Sequence, residues 1–172
     1  MRRAIFGVLL LLLAAASTAS AGPAQEGARA FNHHDYGRAA RIFVPLATRG
    51  DAQAQTYLGF MYAQGNGVPQ SYVEAAYWYR RAAEQGNATA QYWLGLMYDK
   101  GHGVPPDVIE AYKWLNLAIA RAAVRRERDS WMPIRDALAS KMDSIQIAQG
   151  QRLAVLWRPQ RERPRYRAHG GG

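Results

Sequence analysis

The sequence predicts an all-α fold, a solenoid of antiparallel helix pairs, and three observations carry that prediction. Ala52–Asn87 and Ala88–Ala123 align without a gap and share fifteen identical residues, a period of 36. Such a period is the mark of stacked helical repeats. Within each block, apolar residues recur at three- and four-residue spacing on both sides of a Gly-x-Gly-Val-Pro loop, the pattern of two helices and a reversal. The chain has no cysteine, so burial of apolar side chains between stacked helices must hold it together.

Taken in order, the chain of 172 residues opens with Arg2-Arg3, an uncharged apolar run at Ile5–Ala16, and Ala19-Ser20-Ala21. This is the arrangement of a signal peptide, cleaved near Ala21-Gly22, and predicts a periplasmic or secreted protein. An uncleaved anchor is the alternative, disfavoured because the run is short for a span. Residues 22–51 read as a degenerate N-terminal capping pair, Ala24–His33 and Tyr36–Thr48. Only Ala39, Ala40, Gly50 and Asp51 of this pair match the repeat unit. Pro45 is expected to kink or tighten its helix.

In the first full repeat, 52–87, the helix Ala52–Gln64 turns Ala54, Leu58, Met61 and Tyr62 to one face. Gly59 in that helix costs roughly 1 kcal/mol relative to Ala. Its return as Gly95 predicts a close approach of the neighbouring helix. Gly65 and Gly67 are expected at positive φ. His102 fills the loop slot of Asn66, so it too is expected to tolerate a left-handed φ. Ser71 with Glu74, and Asp107 with Glu110, read as capping boxes for Tyr72–Glu84 and Val108–Arg121.

In the second repeat, 88–123, Ala122 replaces the closing Gly86, so that helix is expected to run straighter into the charged Arg125–Asp129. Residues 124–157 then read as C-terminal capping helices. They comprise Ser130–Met142, with Pro133 in the first turn, and Ile145–Trp157, capped by Asp143 or Ser144. The predicted inner face of the last helix is Ile145, Ile147, Ala148, Leu153, Leu156 and Trp157. The Arg/Pro/Gly-rich stretch 158–172 has almost nothing apolar and is expected to be disordered.

The formal net charge of +9 is unevenly spread. Gly22–Gly150 carries fourteen Lys and Arg against twelve Asp and Glu, whereas Gln151–Gly172 carries six Arg against one Glu. A near-neutral body argues against nucleic acid as a partner. In the tail, Arg158, Arg161, Arg163, Arg165 and Arg167 are suited to an anionic lipid or polysaccharide surface.

No catalytic set, cofactor motif or metal site is predicted. The chain has no HExxH, phosphate loop, dinucleotide fingerprint or Gly-x-Ser-x-Gly elbow. His33, His34 and Asp35 are adjacent and read as a polar helix end, with a weak metal site as the lesser reading. Trp78, Trp114, Tyr62 and Tyr98 recur at the period and read as core. The candidates for partner binding are Tyr57, Phe60, Gln64, Trp93, Leu96 and Lys100, which differ between the copies. They lie on the first helices, which line the concave side of stacked pairs. Tyr57 and Trp93 occupy equivalent positions, so an aromatic ridge one repeat apart is expected.

These residues resemble the Sel1-like repeat family, relatives of tetratricopeptide repeats. The resemblance rests on Ala54, Leu58-Gly59, Tyr62, Gly65-x-Gly67-Val68, Ala75, Trp78, Ala82-Ala83 and Gly86. It returns at Ala90, Leu94-Gly95, Tyr98, Gly101-x-Gly103-Val104, Ala111, Trp114 and Ala118. It implies a right-handed superhelix that binds an unidentified protein or peptide without catalysis, in a small exported bacterial protein. A branch of the family resembles β-lactamase-like hydrolases with one disulfide per repeat; without cysteine, that activity is not carried over. An assembly module is a third, purely structural reading.

Overall fold

The computed structural model describes residues 22–160. The expected signal peptide, and the tail arginines Arg161, Arg163, Arg165 and Arg167, lie outside the described residues. Those described form helices α1 (Pro23–Asn32), α2 (Tyr36–Thr48), α3 (Ala52–Gln64), α4 (Tyr72–Glu84), α5 (Ala88–Lys100), α6 (Val108–Arg121), α7 (Arg125–Ala139) and α8 (Ser144–Leu156). Consecutive helices from α1 to α7 pack on one another, and α8 packs on α6. The result is an all-α repeat fold of antiparallel pairs.

The turn between units is built the same way twice. Gly50 and Gly86 take φ of 99° and 95°. Behind them, the Asp51 and Asn87 amides donate back to the Leu46 and Ala82 carbonyls, closing a left-handed helix end. The Asp51 and Asn87 side chains then accept from the Ala54 and Ala90 amides and start the next helix. Two residues thus end one helix and cap another.

Gly59 and Gly95 are points of close approach between helices. A β-carbon on Gly59 would stand 2.7 Å from the Tyr79 ring, and one on Gly95 would stand 3.0 Å from Leu115. Gly27 does the same against Phe43, at 2.7 Å. The first pair is therefore a repeat unit with a shortened loop. Gly67 and Gly103, at positive φ, press their loops onto the Tyr36 and Tyr72 carbonyls at the start of the preceding second helix.

Several expectations are corrected. His102 has no positive φ, because Gly101 and Gly103 supply the reversal; its ring stacks on Tyr72 at 4.6 Å. Ser71 and Asp107 cap α4 and α6, but the full capping box occurs at α8, between Asp143 and Gln146. The Glu110 carboxylate instead accepts from Lys113 and from the Trp114 indole at 2.9 Å. Ala122 leaves the helical region with ψ of 115°, so α6 stops instead of running on. Helix α7 then begins at Arg125, which places Pro133 inside the helix and not in its first turn. Buried Trp131 anchors α7, stacking on Tyr92 at 4.9 Å.

The inner face of α8 also differs from expectation: Ile145, Ala148 and Leu156 point to solvent. A β-carbon on Gly150 would stand 2.9 Å from Tyr112, so α8 rests on α6 through the Gly150 side of the helix. Trp157 packs from that side against Trp114, at 6.2 Å.

Two glycines in this fold should respond to substitution with opposite signs. Gly59→Ala forces a buried ring contact and is expected to lower stability by about 1–2 kcal/mol, overpacking exceeding the gain in helix propensity. At Gly37 a β-carbon meets only Arg41 at 3.8 Å, so Gly37→Ala is expected to raise stability by up to about 1 kcal/mol. Urea unfolding followed by circular dichroism measures both.

Candidate functional site

The first helices of the pairs build a groove of about 440 Å³. Phe31 of α1, Tyr57 and Phe60 of α3 and Trp93 of α5 supply its aromatic part. Gln53, Thr56, Asn87 and Thr89 supply carboxamides and hydroxyls. None of these side chains carries a charge.

The rings are held by one another. Phe31 meets Tyr57 and Phe60 edge-on, at 5.2 Å and 5.6 Å, and Phe60 meets Trp93 at 6.1 Å. Behind them, Tyr57 stacks on fully buried Phe43 at 4.6 Å, and Trp93 lies parallel to buried Tyr79 at 6.3 Å. Burial pushes the Tyr79 phenol far above its ordinary pKa, so this wall stays neutral. Tyr92 and Trp131 continue the band toward α7. Rings so interlocked offer a preorganised surface, with little side-chain freedom left to lose on binding.

The structure brings three of the six concave-face candidates together. Tyr57, Phe60 and Trp93 border the groove, with Phe60, not Tyr57, as the ring next to Trp93. Gln64 is exposed at the end of α3 and outside the groove. Leu96 and Lys100 line a separate recess of about 310 Å³ with Pro133, Ile134 and Leu138, because α7 lies over that end of α5. Lys100 pairs there with its neighbour Asp99, at 2.9 Å. Of the tail candidates, Arg158 is described; its guanidinium donates to the Val155 and Trp157 carbonyls. His34 bonds the Tyr36 hydroxyl, and Asp35 caps α2.

Phe31, Gln53, Thr56, Asn87 and Thr89 escaped the sequence reading as groove residues. A signal for four of them was present: Thr56 and Asn87 differ from their equivalents Tyr92 and Ala123. Gln53 and Thr89 are equivalent positions at which the copies differ, as are Tyr57 and Trp93. The positions identical in both copies are occupied by packing, capping and turns.

Residues 52–87 and 88–122 match the Sel1 repeat family. The chain carries two tandem Sel1 repeats. Two solved structures share the fold. One is c5321, a protective antigen present in uropathogenic Escherichia coli strains, at 30% identity and a TM-score of 0.71. The other is a Sel1 repeat protein from Oxalobacter formigenes, at 29% identity and a TM-score of 0.62. Each match covers 78% of this chain, but only 29% of the Escherichia coli chain and 54% of the Oxalobacter one. No curated protein matches the sequence. Family and fold are those of a protein-interaction scaffold, a class that is typically non-catalytic.

Proposed function

We propose that this protein is a non-catalytic adaptor of a bacterial cell envelope, periplasmic or secreted, which holds a protein or peptide segment in the aromatic groove. One observation carries the reading: wherever a groove-lining position exists in both copies, the copies differ, while the shared residues are spent on the scaffold. The chemistry fits a neutral, extended segment. Rings receive apolar or aromatic side chains, and the carboxamides and hydroxyls of Gln53, Asn87, Thr56 and Thr89 pair with its main-chain groups. The signal-peptide pattern at residues 1–21 supports export.

Selection of a displayed peptide library against residues 22–172 tests this. Wild type is expected to enrich peptides with aromatic or aliphatic anchors. Thr56→Arg with Thr89→Arg, which fills the groove without removing a ring, is expected to weaken them about tenfold or more at unchanged helicity. Equal binding by the variant, or no enrichment, would contradict the groove assignment.

A further inference from the structure

Helix α8 is apolar on two sides. Its inner side, with Gly150 and Trp157, rests on α6. On its outer side Ile145, Val155 and Leu156 are 76%, 73% and 62% exposed. Ala148 and Arg152 lie in the same stripe, exposed as well. A helix that is apolar all round is normally covered all round, and the last unit of a solenoid normally turns a polar face outward.

Apart from Asp143, the charges that α8 and residues 157–160 place around this stripe are positive. Arg152 makes no ion pair among the described residues, and Arg158 is held at the end of α8 by carbonyls alone. Asp143, the carboxylate at the start of α8, is engaged as its N-cap. After α8 the chain folds back, and the Gln160 amide donates to the Glu84 carbonyl at 2.7 Å. From there the sequence continues through Arg161, Arg163, Arg165 and Arg167, with Glu162 the one acidic residue.

We propose that the outer face of α8 docks on the surface of an anionic phospholipid bilayer. Ile145, Val155 and Leu156 enter the acyl boundary, while Arg152 and Arg158 engage lipid phosphates. Charge complementarity selects this occupant, because apolar side chains bordered by cations match a negative headgroup layer. A second copy of the chain would set these arginines against each other. Three side chains also fall short of the roughly 800 Å² per partner of a stable interface. No described helix is long and apolar enough to cross a membrane, so the contact is interfacial. Docking through α8, which lies on the second helix α6, leaves the groove on the first helices open.

Co-sedimentation of residues 22–172, which keep every described helix, with lipid vesicles tests the proposal. Binding is expected to phosphatidylcholine–phosphatidylglycerol vesicles and not to phosphatidylcholine alone, and to weaken as salt is raised. Ile145→Ser, Val155→Ser and Leu156→Ser together should reduce it about tenfold or more. Should that variant lose helicity, Ile145→Ser alone is judged by the same criterion with a smaller loss. Undiminished binding by the folded variant, or no binding to anionic vesicles, overturns the proposal. So does concentration-dependent self-association that the variant abolishes, since it assigns the face to a second copy. The Thr56→Arg, Thr89→Arg variant retains vesicle binding whatever happens at the groove, so the two readings fail separately.

Discussion

Everything in this solenoid depends on how one unit is locked to the next, and a buried glutamine provides the lock. Gln55 and Gln91 are fully buried, and each donates its carboxamide at 3.0 Å to a carbonyl of the preceding helix, Ala47 or Ala83. Those carbonyls also accept from the Gly50 and Gly86 amides of the turn. A buried carboxamide without partners costs about 1–3 kcal/mol. Slipping a unit along its neighbour would therefore break a directional bond as well as an apolar contact, and register is fixed more tightly than packing alone would fix it. The two locks are not identical. Gln85 donates to the Gln55 oxygen, but its counterpart Arg121 turns away to lie 4.3 Å from the Trp157 ring. The second lock thus gives up one bond to hold the closing helix, and the desolvation of Arg121 lowers its pKa.

Register is what makes the groove. With α3 and α5 set by their glutamines, and Gly27 and Gly59 admitting Phe43 and Tyr79 close to the first helices, Tyr57 and Trp93 each gain a stacked ring behind them. Phe31 and Phe60 then fit between as edge-on spacers. The scaffold and the candidate site share these contacts, which ties the shape of the groove to the stability of the stack.

The central repeats were open to sequence reading because two phased copies check each other, and helices α3 to α6 follow the predicted bounds. The ends were less open, for physical reasons. Gly27 precedes Phe43 by sixteen positions, whereas Gly59 precedes Tyr79 by twenty, so the shortened loop of the first unit hid an equivalent contact. The charged Arg125–Asp129 reads as a continuation of the preceding helix, but Ala122 ends α6 and buried Trp131 holds those turns in helix α7. In α8 apolar residues surround the axis, and periodicity cannot choose a side; Gly150 chooses it. At the site, Tyr57, Phe60 and Trp93 could be picked out from copy differences. Phe31 enters the groove by folding, from the capping pair, and no repeat position marks it.

Native-state hydrogen exchange on Gln91→Met, compared with wild type, tests the lock most directly, because methionine keeps the volume and removes the donor. Helices α3 to α6 of wild type should exchange through one shared opening, and the variant should open α5 to α8 at a lower free energy than α1 to α4. An equal loss of protection in all helices, or none in any, would contradict the account.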